Sequence, residues 1–565
     1  MQKLEDTQII LLAGGKGTRL IEHTKDYIPK PMVLINGKPA LQHLIEMCLE
    51  QGFRNFLILL NHKAEKIINF FGTGEKFNAN IDYQIEDSPR GTAGALFDSM
   101  DKLSERFIVI YADTYINVNL KKFLKYHVDN KTKASIFVHP NNHPYDSDLV
   151  QVDKNNLVVN LYSPTDRPKN PIRNLVNAAL YVLEKSIFNG VILENGVIDI
   201  ARDLFPKILN NGIKISAYIS PEYIKDFGTI DRLSQVKKDI KKYLPEKLSD
   251  SYPRKAIFID RDGTLIEDVG HLSDINEIRL FRNSGKALNQ INNSGILGIC
   301  VTNQPVIARG ELTIDGLKDI HAQLELMLSM EKGYLNDIFY CPHYPESGFI
   351  GEVRSLKINC ECRKPNIGMI KEASRIYRIN LQKSWIIGDS CNDMLAGNRA
   401  GLKKILVLTG ETTERLKLKC CPDFTFSSFY YATNWILFKY YKISKILKKF
   451  QESFFGIKDV IIIGPAIMSM NICGVFSEIN TELGIRKELK IINKHKSENN
   501  FGCYQGMDNT SRKAVNWRTK KIFLFEKSPV QVSKNLIKIN IVIQKNITKT
   551  PYLIKKDPIS FTLFV

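Results

Sequence analysis

The chain has 565 residues, 44% hydrophobic and 25% charged, an ordinary soluble composition with length for roughly three or four domains of about 150 residues each. Its net charge of +19 is uneven: residues 411–565 hold 26 Lys+Arg against 12 Asp+Glu, a net +14, so the first 410 carry only +5 and no nucleic-acid partner is expected. No uncharged apolar run reaches about 18 residues, no secretory leader is visible, and ten cysteines are too sparse for a disulfide scaffold, so no membrane span and a cytoplasmic location are expected.

Residues 8–13 form a continuous apolar run that ends in glycines, as a buried parallel strand does. Similar runs at 56–60 and 107–111, with helix-period stretches such as 40–51 between them, predict an open α/β sheet. Gly14, Gly15 and Gly17 follow the first strand with Lys16, Thr18 and Arg19, a loop whose backbone N–H groups can approach phosphate oxygens. Lys30 places a cation one helix downstream. Gly91, Thr92, Ala93, Gly94 and Ala95 read as a second small-residue loop against which a flat base can lie. Asp113 and Asp226 each end a predicted strand, where a carboxylate can reach Mg²⁺ at the carboxyl edge of a sheet.

These pieces, with Pro29-Lys30-Pro31-Met32, Gly37-Lys38-Pro39 and Asp226-Phe227-Gly228-Thr229, resemble the sugar-1-phosphate nucleotidyltransferases, most of all the D-glycero-D-manno-heptose 1-phosphate guanylyltransferase branch. The resemblance implies a Rossmann-like domain over 1–234 that binds a sugar phosphate and an NTP, with GTP expected. Lys16 and Arg19 would hold the triphosphate, Lys30 would stabilise charge at the reacting phosphates, Asn177 would contact substrate, and Asp113 and Asp226 would hold Mg²⁺. The sequence departs from the family in Tyr111-Ala112-Asp113, in Ala179 where Asn-Ala-Gly is usual, and in lacking Glu-Lys-Pro near 163–168.

The charged stretch 235–253 is predicted as a helix and linker. A second α/β unit over 254–430 begins with the apolar run ending at Asp260, with further buried strands at 296–301, 384–388 and 404–408. Asp260 can attack phosphorus, and a carboxylate is ionised at neutral pH without help. Asp262 can protonate the leaving oxygen and then activate water. Lys364, and an Mg²⁺ held by Asp260, the Asp262 backbone carbonyl and Asp389, would balance the charge, with Asp393 as support. Thr302 would hydrogen-bond the transferred group. Cys341, His343, Cys360 and Cys362 supply three thiolates and an imidazole, a closed tetrahedral set that fits a structural Zn²⁺.

Together these motifs resemble the haloacid-dehalogenase (HAD) superfamily, specifically the zinc-containing heptose 1,7-bisphosphate phosphatases and their histidinol-phosphatase relatives, over about 255–412. Asn303, Arg309 and Arg363 are the expected substrate contacts; Pro305-Val306 replaces the usual Ser-Gly after Thr302-Asn303-Gln304. Residues 431–565 form a basic region; its Asp459-to-Gly464 strand and turn could be a degenerate P-loop, but a plain strand and turn without catalytic use is the expectation. The combined expectation is a bifunctional enzyme of nucleotide-activated heptose synthesis. The alternatives are another sugar, such as mannose or glucose 1-phosphate, or an N-terminal domain that binds sugar nucleotide without turnover.

Overall fold

A computed structural model describes residues 7–15, 28–189, 191, 196–410 and 420–438, and further on 460–463, 489–491, 538–542 and 560–564. One compact unit runs to Leu437 and a second begins at Phe438. Lys16, Gly17, Thr18 and Arg19 lie outside the described residues, as does the turn from Gly464 onward.

The N-terminal sheet is built on β1 (Gln8–Leu12), β2 (Asn55–Leu60), β3 (Asn80–Ile85) and β4 (Arg106–Tyr111), paired in parallel in the order β4-β1-β2-β3. A strand apolar at every position must be covered on both faces. That is the arrangement here: Ile9 and Leu11 enter one core and Ile10 the other, as Phe56 and Ile58 oppose Leu57 and Leu59. Helix α1 (Ala40–Glu50) buries Leu41, Leu44, Ile45 and Cys48, the spacing of a single helical face. Beyond β4 the sheet continues through strands that include Ala134–His139 and the nine-residue Val176–Glu184.

The expected loop at Gly91 is instead helix α2 (Gly91–Phe97). Gly91 has φ +79°, and a Cβ there would lie 2.4 Å from the Ile198 carbonyl oxygen, so only glycine lets this helix start pack on the Ile198 backbone. The 235–253 stretch also differs from a linker. Helix α3 (Ile230–Lys241), capped by Thr229, buries Leu233 and Val236 against Val33, Ile35 and Phe227. The short helix α4 (Leu244–Leu248) then places Leu244 and Leu248 in one core with Tyr223, Phe258 and Ile299.

The central sheet contains β5 (Ala256–Ile259), β6 (Leu297–Asn303), β7 (Asp337–Cys341), β8 (Trp385–Gly388), β9 (Lys403–Val407) and β10 (Phe424–Phe426), all parallel, in the order β7-β6-β5-β8-β9-β10. Helices α5 (Ser284–Asn292), α6 (Ile314–Met330), α7 (Gly368–Tyr377) and α8 (Cys391–Ala400) link the strands. The observed fold is therefore α/β, with a Rossmann-like nucleotidyltransferase region followed by a HAD-like region. The unit extends past 430 because Phe429, Ala432 and Ile436 are buried and Trp435 packs on Phe424, with ring centroids 4.2 Å apart. Cys391 is disulfide-bonded to Cys420. In the second unit, Leu489–Ile491, Val460–Ile463, Lys538–Val542 and Ser560–Phe564 form one sheet in that order. Among the described residues no helix is long and apolar enough to cross a membrane.

Polar contacts add to the shared core. Arg173 pairs with Asp337, the Asn174 N–H donates to Glu325 Oε2 at 2.8 Å, and buried Arg254 donates to the carbonyls of Leu248 (2.8 Å) and Tyr377 (2.9 Å). Burial pushes the Glu325 carboxyl up to about 7, against the opposing pull of Arg173. The folded chain thus holds the Glu325 proton more tightly than the unfolded chain does. Its favourable contribution is complete below the ordinary carboxylate pKa and is lost as pH rises towards about 7. Glu325→Gln should therefore gain melting temperature relative to the unaltered chain as pH rises from about 5 to about 7.5; parallel melting curves across that range would refute the assignment.

Candidate active sites and metal centre

The first site sits at the carboxyl edge of the N-terminal sheet, where open α/β folds bind ligands. Asp113 follows β4 by two residues, and the Phe227 N–H donates to its carbonyl at 2.9 Å. Strand Tyr223–Asp226 pairs with Thr114–Asn117 so that Asp226 stands opposite Thr114, which brings the two predicted carboxylates to adjacent strand ends. Lys30 Nζ is ion-paired with Asp113. Arg232, in the first turn of α3, binds Asp226 Oδ1 and Oδ2 at 2.8 and 3.0 Å and lies 3.5 Å from Asp146. Sequence reasoning missed Arg232; its only signal was its place one turn after the Asp226-to-Thr229 motif. Two carboxylates suit Mg²⁺, which is commonly held by one or two protein carboxylates plus substrate phosphates.

The remaining predicted contacts divide. A Cβ on Gly15 would meet nothing within 4 Å, whereas one on Gly14 would lie 2.9 Å from Glu86 Oε2. Glu86, which the sequence did not single out, follows β3 on the same edge, and burial raises its carboxyl pKa. Thr92 Oγ1 donates to Asp199 at 2.9 Å and accepts from the Ile200 N–H, and a Cβ on Gly94 would strike Arg90. Gly91, Thr92 and Gly94 therefore each have a packing or hydrogen-bonding role within the fold. Asn177 lines a cavity of about 400 Å³ that also touches Asp113, Asp226 and Arg232; its amide donates to the Tyr181 hydroxyl at 3.0 Å and accepts from the Ala179 N–H.

The second site lies at the carboxyl edge of the central sheet. Asp260, Asp389 and Asp393 come close enough for one cation to bridge them. Buried Lys364 donates to Asp260 Oδ1 at 2.8 Å, Asp393 Oδ1 at 2.6 Å and the Val301 carbonyl at 2.8 Å. A Cβ on Gly263 would lie 2.3 Å from Asp389 Oδ2, so the glycine lets the chain after Asp262 press against this carboxylate. Burial, then the charges of Asp393 and Asp389, push the Asp260 carboxyl well above its usual range, and Lys364 opposes them. Asp393 is committed as well, since its other oxygen accepts from the Ser390 N–H and hydroxyl as the capping box of α8.

Asp262 is not in the cation cluster by its side chain. It accepts from Arg261 Nε and Nη2, both at 3.0 Å, and from Gln304 Nε2 at 2.9 Å. Gln304 also donates to Thr302 Oγ1 at 2.8 Å, making it an organiser that sequence reasoning left without a role. Asn303 differs from its predicted substrate contact. Its amide donates to the Lys364 carbonyl at 3.0 Å and accepts the Lys364 N–H at 2.9 Å, so it fixes the lysine. Pro305 occupies the first turn of the short helix Pro305–Ala308, where no N–H is needed, and Val306 is buried beside Ile307 and Leu317.

Cys341 ends β7, and His343, Cys360 and Cys362 gather around it with all four donor atoms within 4.8 Å of one another. Sulfur–sulfur separations are 3.0, 3.3 and 3.5 Å, and His343 Nδ1 lies 3.2 Å from Cys362 Sγ. A tetrahedral ion at ~2.3 Å from each sulfur needs edges of roughly 3.7 Å, so the set fits a closed four-ligand metal centre with slight expansion. Beside it, Arg309 lies 4.6 and 4.7 Å from the ring centres of Tyr344 and Phe349, Arg363 lies 5.0 Å from Tyr344, and Lys357 lies 4.5 Å from Phe349. Lys357 joins the two predicted arginines, its ammonium 3.5 Å from Glu352 Oε2, and Arg309 Nε is buried without a hydrogen-bond partner. Nothing in the sequence distinguished it from other loop lysines.

An alanine at an irregularity in the strand Val176–Glu184 marks the first site. Ala179 adopts φ +55°, the left-handed region that glycine occupies freely, which accounts for Asn-Ala-Gly being the family's usual form. Ala179→Gly should stabilise the chain by about 1 kcal/mol in denaturant unfolding. An unchanged or lowered midpoint would show that this backbone is not strained.

Fold and sites together define a nucleotidyltransferase joined to a HAD phosphatase. The family model described as nucleotidyl transferase matches residues 8–279, and the HAD-hydrolase-like model matches 361–432. The D-glycero-β-D-manno-heptose-1,7-bisphosphate 7-phosphatase of Haemophilus ducreyi is 39% identical over 160 residues, 28% of this chain and 85% of that protein. Through this region the chain belongs to that phosphatase family. The bifunctional protein GlmU of Methanocaldococcus jannaschii is 32% identical over 216 residues, 37% of this chain; the match spans only 49% of that protein. HddC from Yersinia pseudotuberculosis, solved with GMP-PN, is 28% identical with a TM-score of 0.36, covering 41% of this chain and 99% of that one.

Proposed function

We propose that the chain catalyses two consecutive steps of nucleotide-activated heptose synthesis. The central region removes the 7-phosphate of D-glycero-D-manno-heptose 1,7-bisphosphate, and the N-terminal region transfers a nucleotidyl group, GMP from GTP, to the resulting heptose 1-phosphate. The observation that carries this reading is the union of the two sites in one compact unit, since the product of the phosphatase is a substrate of the class the nucleotidyltransferase requires. A GTP preference is supported by Glu86: a carboxylate accepts both the N1–H and the amino group that guanine presents on one edge.

In the phosphatase, Asp260 attacks the phosphorus of the 7-phosphate, and Asp262 gives a proton to the departing sugar oxygen, leaving an aspartyl phosphate. Asp262 then takes a proton from water as it attacks that phosphorus, which returns Asp260 and releases phosphate. Mg²⁺ at Asp260, the Asp262 carbonyl and Asp389 would supply the positive charge that three carboxylates and one lysine lack. Thr302 and Lys364 hold the transferred group, and Arg309, Arg363 and Lys357 suit the second phosphate. In the nucleotidyltransferase, Asp113 and Asp226 would hold Mg²⁺, Lys30 would stabilise the reacting phosphates, and Arg232 would exchange Asp226 for substrate phosphate.

The purified chain should release phosphate from heptose 1,7-bisphosphate, tested as both anomers, and pyrophosphate when GTP and heptose 1-phosphate are supplied. Asp260→Asn should lower phosphate release by at least about 10³-fold, and Asp113→Ala with Asp226→Ala should abolish pyrophosphate release alone. Retention of phosphate release in Asp260→Asn would sink the nucleophile assignment; preference for mannose or glucose 1-phosphate would replace the sugar.

The four-ligand centre we assign to Zn²⁺ in a structural role. Elemental analysis should find one zinc per chain, lost in Cys360→Ser with Cys362→Ser, together with a lower melting temperature. Full occupancy after removal of both thiols would place the ion elsewhere.

A further inference from the structure

The cavity at Asp113 and Asp226 does not close within the N-terminal region. Part of its lining comes from Asn289, Asn292 and Asn293 at the C-terminal end of α5 and from Tyr334 and Asn336 just before β7, all from the phosphatase region. The two ends differ in chemistry. The end at Lys30, Asp113, Asp226 and Arg232 is ionic and suits phosphate and metal, whereas these five wall residues carry only amides and a phenol. His139, on the side between, is held neutral by burial, its pKa lowered to about 4.

The wall is also braced. Asn292 accepts the Tyr334 N–H and donates to the Tyr334 carbonyl, both at 3.1 Å, while Asn336 exchanges hydrogen bonds with the Gly298 backbone at 2.7 and 2.9 Å. Asn293 Nδ2 donates to Asn289 Oδ1 at 2.7 Å. The Asn292 clamp uses only the backbone of Tyr334 and leaves its side chain outside these bonds. The shared core of Tyr223, Leu244, Leu248 and Phe258 and the Asn174–Glu325 bond fix this wall against the nucleotidyltransferase, so it is part of the pocket and not a hinged neighbour.

We propose that the phosphatase region supplies a specificity wall of the nucleotidyltransferase, in which Tyr334 and Asn289 hydrogen-bond hydroxyls at the end of the sugar 1-phosphate remote from its phosphate. This deepens the function proposed above and rests on it for the direction in which the sugar lies. A wall of amides and a phenol fits the hydroxyls of a polyol and itself carries no cation for a second phosphate. It thereby distinguishes a heptose 1-phosphate from its bisphosphate precursor.

Tyr334→Phe and Asn289→Ala in the full chain test this. Each should raise the KM for heptose 1-phosphate by roughly five- to tenfold, the loss of one neutral hydrogen bond, with the KM for GTP, the melting temperature and phosphate release from heptose 1,7-bisphosphate unchanged. Calorimetric titration of the sugar 1-phosphate with Mg²⁺ present gives the same comparison without turnover. Unmoved KM and Kd in both variants would overturn the wall while leaving the heptose reading intact. A raised KM for mannose or glucose 1-phosphate, with heptose 1-phosphate not accepted, would keep the wall and remove the heptose. Parallel loss of phosphate release would reduce these residues to a structural role, and absence of any sugar 1-phosphate binding by the unaltered chain would remove both.

Discussion

Carboxylates gathered at the carboxyl edge of a parallel sheet repel one another, and every other feature of the two sites answers that repulsion. In the central region the buried ammonium of Lys364 pairs with Asp260 and Asp393, and Asp389 completes the carboxylate cluster beside them. Lys364 is in turn clamped by Asn303 through its backbone and anchored by the Val301 carbonyl, so its charge cannot move away. Three negative charges against one positive leave a deficit that burial makes expensive. In the N-terminal region the same problem has a softer answer, because Lys30 and Arg232 are less buried and each can trade its carboxylate for a phosphate.

This difference in rigidity suits the two chemistries. A phosphatase nucleophile needs a fixed line of attack, and Asp393 secures it by holding Lys364 with one oxygen and the start of α8 with the other. A nucleotidyltransferase must admit a triphosphate, bind a second substrate and then release pyrophosphate. Cations that sit on carboxylates in the free chain are released as substrate oxygens and metal arrive.

Much of this was legible in the sequence because chemistry at strand ends leaves a compact signature. Asp260, Thr302 and Asp389 each end or immediately follow an apolar run, and Cys341, His343, Cys360 and Cys362 fall at metal-ligand spacing, so their convergence required only that the strands be parallel neighbours. What the sequence hid was of two kinds. Gln304 stood in a quoted motif without a role, and residues such as Arg232, Glu86 and Lys357 take their places only in the folded chain, with little or no local pattern to mark them. Gly91 and Thr92 look like a phosphate or base loop, yet the backbone of Ile198 and the carboxylate of Asp199 claim them, a tertiary contact invisible to spacing. The charged stretch 235–253, expected as a helix and linker, begins as a helix, but Leu244 and Leu248 in its second half are buried in one core with Tyr223 and Phe258.

The bracket formed by that stretch also decides how an intermediate can travel. Arg254, Asn336 and the C-terminal end of α5 meet the N-terminal region at the amino edge of the central sheet, whereas Asp260 lies past the last residue of β5 on the carboxyl edge. Four strand residues, about 13 Å of packed sheet, separate the two edges. No side chain can hand a sugar across such a layer, so under the function proposed above the sugar 1-phosphate leaves one site and enters the other through solvent. The benefit of joining the domains is then not direct transfer. It is the wall that one domain lends to the other, which puts discrimination against the unprocessed bisphosphate in the nucleotidyltransferase pocket itself.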